Sequence, residues 1–486
     1  MKKKYNFNPV KTIFLIVAFQ CVIFNLSFAQ PFITTWNTSN VGINDKSIKI
    51  RTHPNETYNY DVDWDNDGIF DQFGITGDMT HTYNSPGIYT IAIQGDFPRI
   101  FFDGSWGSMY KIISVEQWGN IVWTSMESAF EGCNNLQINA ADSPNLSMVT
   151  DMSQMFYNAS HFNSDSSINN WNVSNVTNMS QMFAQAYRFN QDIGSWNVGN
   201  LINMSKMFYL ADSFNCYIGG WNVSNVTNME GTFWGTESFN QKIDNWDVSS
   251  VTNMSEMFSY TKSFNQGIGN WNVGNVTNMH RMFRGAGSFN QDIGNWDISN
   301  VTDMNTMFWA AFDFNQNIGN WNIANVTDMH GMLDYSGFKI VNYDSTLIGW
   351  ESQGGINKNL GAKDLRYCHA DSVRSRLIST YGWSISGDNY NCFNVNSENK
   401  LQFNAFEIYP NPTQGQLNID IEFDKPLNDI WIEIVNVQGQ VFKRLHFDEN
   451  QTRIQEQLDL TGLMNGNYYL VLHHHQNTTV KMITLN

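Results

Sequence analysis

A tryptophan recurs at a fixed step of 25 residues through the middle of the chain, without an insertion or a deletion. The positions are Trp171, Trp196, Trp221, Trp246, Trp271, Trp296 and Trp321. A period of roughly 20 to 50 residues is typical of repeat proteins, in which each unit packs only on its neighbours. The repeat therefore predicts a stack that lengthens with every turn, so that 486 residues can fold without one oversized globular core.

The apolar spacing changes within each repeat. Trp296 and Ile298 alternate as in a short strand, whereas Val301 and Met304 are three residues apart and belong to the stripe of a short helix. We therefore expect an α/β repeat solenoid over residues 113–336, with one short strand and one short helix per 25-residue turn. The tryptophans should be buried, and a column of asparagines should form a hydrogen-bonded ladder between turns. This column consists of Asn163, Asn190, Asn215, Asn240, Asn265, Asn290 and Asn315.

The end of the repeat consensus, Asn-Val-Thr-Asn-Met-Ser-x-Met-Phe, resembles that of the BspA family of leucine-rich-repeat surface proteins. Ile293, Trp296 and Ile298 also follow the Leu-x-x-Leu-x-Leu spacing of a leucine-rich repeat. The resemblance implies a leucine-rich-repeat-like solenoid that is displayed at a bacterial surface.

The first 30 residues have the layout of a secretory signal peptide. Lysines at positions 2, 3, 4 and 11 precede an apolar segment, Ile13–Phe24, and small residues near Ala29 provide a cleavage site. No later apolar run approaches the ~20 residues that a bilayer span needs. We therefore expect a secreted chain with no transmembrane segment in its mature part.

Residues 31–112 lack the repeat and alternate apolar residues with turn residues, as the strands of a β-sandwich do. Trp64 followed by Asp65–Gly68, then His81–Tyr83 and Pro86–Tyr89, resemble the signature of polycystic-kidney-disease-type modules. The resemblance implies an N-terminal β-sandwich domain.

Asp63, Asp65 and Asp67, followed by a glycine, match the first half of a calcium-binding loop. Carboxylates at every second residue can converge on one hard cation. Gly74 stands at the twelfth position, where such loops place a bidentate glutamate. The sequence therefore allows either a Ca²⁺ site or an acidic hairpin turn, and Ca²⁺ is the one cofactor that it suggests.

Residues 337–395 lose the repeat period, and a C-terminal cap over the last apolar layer is expected there. Four cysteines lie beyond the signal peptide and allow three pairings, between which the sequence does not choose. In an exported chain a disulfide between Cys368 and Cys392 is plausible. Residues 396–402 are polar and are interpreted as a linker.

Residues 403–486 contain Tyr409–Pro412, alternating apolar residues from Leu417 to Phe423, and Gly466–Tyr469. In this order they resemble the C-terminal sorting domain of type IX secretion in Bacteroidetes. It implies a small β-sandwich that the secretion machinery recognises at the outer membrane. The expected location is therefore outside the outer membrane, at the cell surface or released from it.

The charge balance and the motifs exclude several functions. Asp and Glu outnumber Lys and Arg by 45 to 27, for a formal net charge of −18, which argues against nucleic acid and anionic membranes as partners. Metal-hydrolase, nucleophile-elbow and phosphate-loop motifs do not occur. We therefore do not expect an enzyme.

The positions that vary between turns offer the best candidates for ligand contact. Aromatic side chains are favoured anchors of interfaces, and the variable columns contain Tyr209, Tyr217, Trp234 and Trp309. Ordinary surface variation is the alternative explanation. We expect a secreted surface binding protein or adhesin for a protein or glycan ligand. A structural component of a surface layer or matrix is the alternative, and a polysaccharide-processing enzyme is a third, less favoured function.

Overall fold

The computed structural model describes residues 30–39, 46–102, 107–163, 168–392, 403–436, 440–474 and 477–486. The signal peptide predicted for residues 1–30 lies outside the described residues except for its last position, and so does the linker predicted for residues 396–402. The described chain forms two compact units, of which the first ends at Val226 and the second begins at Thr227.

The first unit begins with two β-sheets. Six strands form one sheet in the order β4-β3-β6-β1-β7-β8, while β2 and β5 pair with each other. The elements are β1 (Phe32–Asn37), β2 (Ser47–Ile50), β3 (Asn59–Asp63), β4 (Gln72–Ile75), β5 (Met79–Thr82), β6 (Ile88–Asp96), α1 (Ser108–Lys111), β7 (Ile112–Gln117) and β8 (Gln137–Ile138). All pairs are antiparallel except β7 with β8, which is parallel.

Repeat coils follow these sheets in the first unit and begin the second unit. In the first unit the Phe183 ring stacks between Phe156 and Phe208, with centroid distances of 5.6 and 5.8 Å. A single turn of 3₁₀-helix, Ile168–Asn170, interrupts these coils. In the second unit, parallel bridges join residues 228, 253, 278, 303 and 328 in succession. The repeating tryptophans are at most 4 % exposed, so the prediction that they form the core is confirmed.

The predicted alternation of a short strand and a short helix is wrong. Residues 171–336 contain no α-helix and no strand beyond isolated bridges. Each coil has two left-handed positions four residues apart, such as Thr306 (φ 50°) and Ala310 (φ 54°). A left-handed residue cannot continue an α-helix and costs about 1–2 kcal/mol when it has a side chain. The stripe that includes Met304 and Phe308 is therefore a series of tight turns.

Hydrogen bonds between coils compensate for this backbone. Alternate N–H groups donate to the following coil at 2.9 Å, from Met304, Thr306, Phe308 and Ala310 to the carbonyl oxygens of Asp328, His330, Met332 and Asp334. The intervening N–H groups close four-residue turns within the coil. The N–H of Met307, for example, donates to the Met304 carbonyl at 3.1 Å. Backbone polar groups are thus satisfied without a helix, which allows the apolar side chains to be buried.

The asparagine ladder is confirmed. The side-chain oxygens of Asn240 and Asn265 accept the N–H groups of Asn265 and Asn290, both at 3.0 Å, and that of Asn290 accepts the N–H of Asn315 at 2.9 Å. In the first unit, Asn163 and Asn190 accept in the same way at 2.9 Å. Each amide therefore joins one coil to the next.

Residues 340–390 form two helices and four short strands. They are α2 (Ile340–Ser352), β9 (Asn359–Gly361), β10 (Arg366–Tyr367), α3 (Asp371–Ser379), β11 (Ser384–Ser386) and β12 (Asn389–Tyr390). The carbonyls of Gly361 and Lys363 accept the N–H groups of Leu333 and Tyr335, both at 2.9 Å. These residues therefore cover the last repeat coil. Trp350 of α2 continues the indole column, because its Nε1 donates to the Ile318 carbonyl at 3.1 Å.

The chain ends in two antiparallel sheets, β13-β14-β17 and β16-β15-β18-β19. The strands are β13 (Phe403–Tyr409), β14 (Gln416–Leu427), β15 (Ile430–Asn436), β16 (Val441–Phe447), β17 (Gln451–Asp459), β18 (Gly466–His474) and β19 (Asn477–Leu485). Leu417, Ile419, Ile421 and Phe423 alternate along β14 and are at most 3 % exposed. They share one core with residues of the second sheet, such as Leu470.

Candidate binding surface

The coil backbone determines which side chains form a continuous surface. In the coils of the second unit a buried apolar residue, such as Phe283 or Leu333, is followed by two positions that hold the side chains in contact between neighbouring coils. Since the coils repeat every 25 residues, these two positions form columns that run along the stack.

Aromatic rings and one arginine follow these columns across five successive coils of the second unit. The Trp234 and Tyr260 rings meet edge to face at 5.4 Å, and the Trp309 and Tyr335 rings do so at 6.0 Å. Between them, the Arg284 guanidinium lies 5.6 Å from the Tyr260 centroid and 4.8 Å from the Trp309 centroid. We name these five residues the aromatic stripe. Its members are half-buried or, in the case of Tyr335, 38 % exposed.

Each coil combines one large residue with a smaller one in these two columns, and the large residue is in the first column in some coils and in the second in others. The pairs in successive coils are Trp234 with Gly235, Ser259 with Tyr260, Arg284 with Gly285, Trp309 with Ala310, and Asp334 with Tyr335. Gly285 has a φ of +66°, and a Cβ there would lie 2.7 Å from Cδ1 of Tyr260. Gly285 therefore gives the Tyr260 ring the space to lie across the adjacent coil.

The four predicted contact residues are divided between the two units. Trp234 and Trp309 belong to the aromatic stripe, whereas Tyr209 and Tyr217 lie in the first unit. Tyr209 is half-buried and Tyr217 is 54 % exposed. Tyr260 and Tyr335 were not predicted, because they stand one position later than the tryptophans. The pairing of a large residue with a smaller neighbour in every one of these coils is the signal that could have revealed them.

The charged residues beside the aromatic stripe have partners of opposite charge, whereas the arginine of the stripe has none among the described residues. Glu256 forms an ion pair with Arg281 at 3.2 Å, and Asp334 is buried with the Lys363 ammonium 4.0 Å away. Arg284 forms no ion pair within the described residues, and its buried Nε has no hydrogen-bond partner there. One unpaired positive charge thus remains in the middle of the aromatic stripe.

The acidic loop of the N-terminal region differs in one residue from the predicted set. Carboxylate oxygens of Asp63, Asp65 and Asp71 lie within 4.8 Å of one another. Asp67 instead accepts the N–H of Ile69 at 2.8 Å. Asp71 was missed, although it occupies the ninth position counted from Asp63, where calcium loops often place a ligand.

The electrostatics of this loop favour a positive partner. Local desolvation raises the pKa of Asp65, and the negative charges of Asp67 and Asp63 raise it further. Asp63 is buried and accepts the N–H of Gly68 at 2.9 Å. Oxygen donors of this kind suit Ca²⁺, but hydrogen bonds to the loop backbone explain the same arrangement in a turn.

The cysteines have distinct environments. Cys368 and Cys392 form a disulfide with a Cα–Cα distance of 4.9 Å. Cys133 is free and buried, and burial raises the pKa of its thiol well above the usual value. Cys216 is free and partly exposed, with its sulfur 3.2 Å from the Asn190 side-chain oxygen. It therefore replaces the glutamine that makes this contact in other coils.

Two known families match parts of the chain. Residues 124–246 and 232–344 match the family described as Mycoplasma protein of unknown function, DUF285, in two copies. Residues 407–486 match the secretion system C-terminal sorting domain. No curated protein matches the chain.

The C-terminal match supports the expected export route. A sorting domain of this kind indicates type IX secretion to the cell surface of Bacteroidetes-type bacteria, and it implies contact with that secretion machinery. None of the helices in the described part of the chain has both the length and the apolar character of a bilayer span. The resemblances to the BspA family and to polycystic-kidney-disease modules remain predictions.

Proposed function

We propose that this protein is a surface-exported binding protein, or adhesin, whose glycan or protein ligand docks on the aromatic stripe, and that it catalyses no reaction. The observation that carries this proposal is the unbroken row of Trp234, Tyr260, Arg284, Trp309 and Tyr335 over five coils. Aromatic and arginine side chains contribute most of the energy at many interfaces.

The coils hold this row in place before a ligand arrives. Neighbouring coils share backbone hydrogen bonds beneath it, and neighbouring rings restrict each other's rotation. Such preorganisation reduces the entropy lost on binding. Tyr209 and Tyr217 are proposed as further contact residues on the first unit.

The test is a binding screen of the full chain against bacterial and host glycans and proteins. Replacing both Trp234 and Trp309 with alanine should weaken binding of a captured ligand at least ~30-fold, as loss of interface anchors does. Tyr187→Ala, which removes an aromatic residue that is 39 % exposed and outside the aromatic stripe, is the matched control and should leave the affinity unchanged.

Other outcomes favour the alternative functions. A chain that binds nothing in the screen but assembles into sheets would be a structural component of a surface layer or matrix. Turnover of a glycan that disappears when one carboxylate is replaced would identify a polysaccharide-processing enzyme. Either result would overturn the proposal.

A further inference from the structure

We infer that the aromatic stripe recognises an anionic polysaccharide, with Arg284 binding a carboxylate or sulfate group of the sugar chain. This inference rests on the proposed function and specifies its ligand class. Arg284 is the one cation of the aromatic stripe.

The two adjacent rings fix the Arg284 guanidinium. Its Cζ lies 5.6 Å from the Tyr260 centroid and 4.8 Å from the Trp309 centroid. Aromatic faces attract a guanidinium within about 6 Å, and they leave the hydrogen-bond donors at its edge available to a ligand. Its Nε is buried and has no hydrogen-bond partner in the described chain, so an acidic ligand would bind the two terminal NH₂ groups of the guanidinium.

Among the described residues, Arg284 lacks the ion pair that the neighbouring Arg281 forms. The chain carries a formal charge of −18. Arg281, three residues before Arg284 in the same coil, is paired with Glu256 at 3.2 Å. Within the described residues Arg284 has no such partner. A guanidinium can bind a carboxylate or sulfate through two parallel hydrogen bonds, so an acidic group on the ligand would supply the missing partner.

The regular spacing of the aromatic stripe favours a polysaccharide over an acidic peptide. Successive members belong to successive coils, whose equivalent phenylalanine rings stack 5.6–5.7 Å apart. A polymer of sugar rings presents apolar C–H groups at regular intervals, and these groups can pack against aromatic side chains that recur from coil to coil. A peptide could not gain strand pairing here, because alternate N–H groups of the coil at Thr306 and Phe308 already bond to the next coil.

The test compares two probes with the same sugar backbone, one with charged carboxylates and one with neutral methyl esters. Binding of the full chain to polygalacturonate and to its methyl ester should differ at least about tenfold in favour of the acid, the worth of one charge-assisted hydrogen-bond pair. Raising the salt concentration should reduce this preference, because salt screens exposed charges.

Variants assign the preference to one side chain. Arg284→Gln should remove the preference for the acid, and a circular dichroism spectrum that matches that of the parent chain checks that the coils remain folded. Arg284→Lys should keep only part of the preference, because lysine lacks the planar fork of donors. Lys262→Gln is the matched control: it removes one positive charge next to Glu237, outside the aromatic stripe, and should leave the preference intact.

The outcomes separate this inference from the proposed function. Equal affinity for acid and ester, or a preference that survives Arg284→Gln, overturns the inference while the binding function stands. Binding of polyglutamate but of neither polysaccharide also overturns it, in favour of an acidic protein ligand. If the full screen finds no ligand of any kind, both the inference and the proposed function fall.

Discussion

The repeat coils of the second unit and the C-terminal sheets both bury apolar side chains while pairing their backbone N–H and C=O groups, but they do so in different ways. In the C-terminal sheets, extended strands such as β14 alternate buried and exposed residues and pair antiparallel. In the coils, left-handed residues such as Thr306 break the backbone into turns, and hydrogen bonds join residues 24 apart. Each column of the coils therefore has one structural role, repeated at every turn.

This difference explains where a binding surface can evolve. A face of a β-sheet is coupled to its register, because a slip of one residue moves every side chain to the other face. In the coils, the asparagine ladder and the buried indoles define the register. The two columns that carry Trp309 and Tyr335 can then vary without disturbing it, which suits a surface that binds a ligand.

The largest expected effect is on the indole column. Trp296→Ala should lower the free energy of unfolding of the second unit by about 3–5 kcal/mol, because it leaves a cavity in a close-packed core. It also removes the hydrogen bond from Nε1 to the Ile268 carbonyl at 3.1 Å. Denaturant unfolding followed by circular dichroism measures the change. A cost no greater than that of Trp309→Ala, at the half-buried surface, would contradict the account of the core.

The next largest effect is the loss of stability when an asparagine of the ladder is replaced, compared with the loss when an asparagine outside the ladder is replaced. Asn265→Ala should cost about 1–2 kcal/mol, because the Asn265 oxygen accepts the N–H of Asn290 at 3.0 Å and the Gln291 amide at 2.8 Å. Amide hydrogen exchange at Asn290 should accelerate. Asn265→Asp keeps an acceptor and should preserve protection. Asn418→Ala in β14, where the side-chain amide makes one hydrogen bond to the Tyr409 carbonyl at 3.1 Å, should cost less, and equal costs would refute a special role for the ladder.

Substitution with glycine should have a smaller effect on stability, and this effect should have opposite signs in the coils and in the C-terminal sheets. Thr306→Gly should stabilise the coils by up to about 1 kcal/mol, because glycine adopts a left-handed φ without steric cost. Glu456→Gly on the exposed face of β17 should destabilise the sheet by about 0.5–1 kcal/mol, because glycine loses more entropy in a strand. Thermal unfolding of each variant measures both. Destabilisation by Thr306→Gly would show that its backbone is not left-handed in solution.

The smallest effect is a pH dependence of stability in the C-terminal sheets. Hydrogen bonds from Arg453 and Gln455 lower the pKa of Asp420 from 3.8 to about 2. Since the folded pKa is the lower one, this stabilisation is present above pH 3.8 and is lost as the pH falls towards 2. Arg453→Gln should reduce the slope of stability against pH in that window. An unchanged slope would mean that the ion pair does not persist in solution.

The sequence predicted the local structure correctly where a given spacing of apolar side chains is compatible with only one backbone conformation. Alternation from Leu417 to Phe423 predicted a strand, and these residues lie in β14. The fixed step of the tryptophans predicted stacking and burial. Spacing by three and four from Val301 to Phe308 predicted a helix wrongly, because stacked turns with left-handed residues also place every third or fourth side chain in the core.

The candidate site was predictable in part. Trp234 and Trp309 could be selected because they are aromatic residues in a variable column. Tyr260 and Tyr335 became apparent only when the structure showed that two adjacent columns interdigitate. The pairing state of Arg284 depends on its neighbours in space, so the sequence alone could not reveal it.

Covalent footprinting of the full chain with and without its ligand tests the central claim most directly. Trp234, Tyr260, Trp309 and Tyr335 should become protected together on binding. Tyr187 and Tyr390, which are 39 % and 50 % exposed, should react as before. Protection that excludes the four aromatic residues of the stripe, or that appears only elsewhere, would contradict the account.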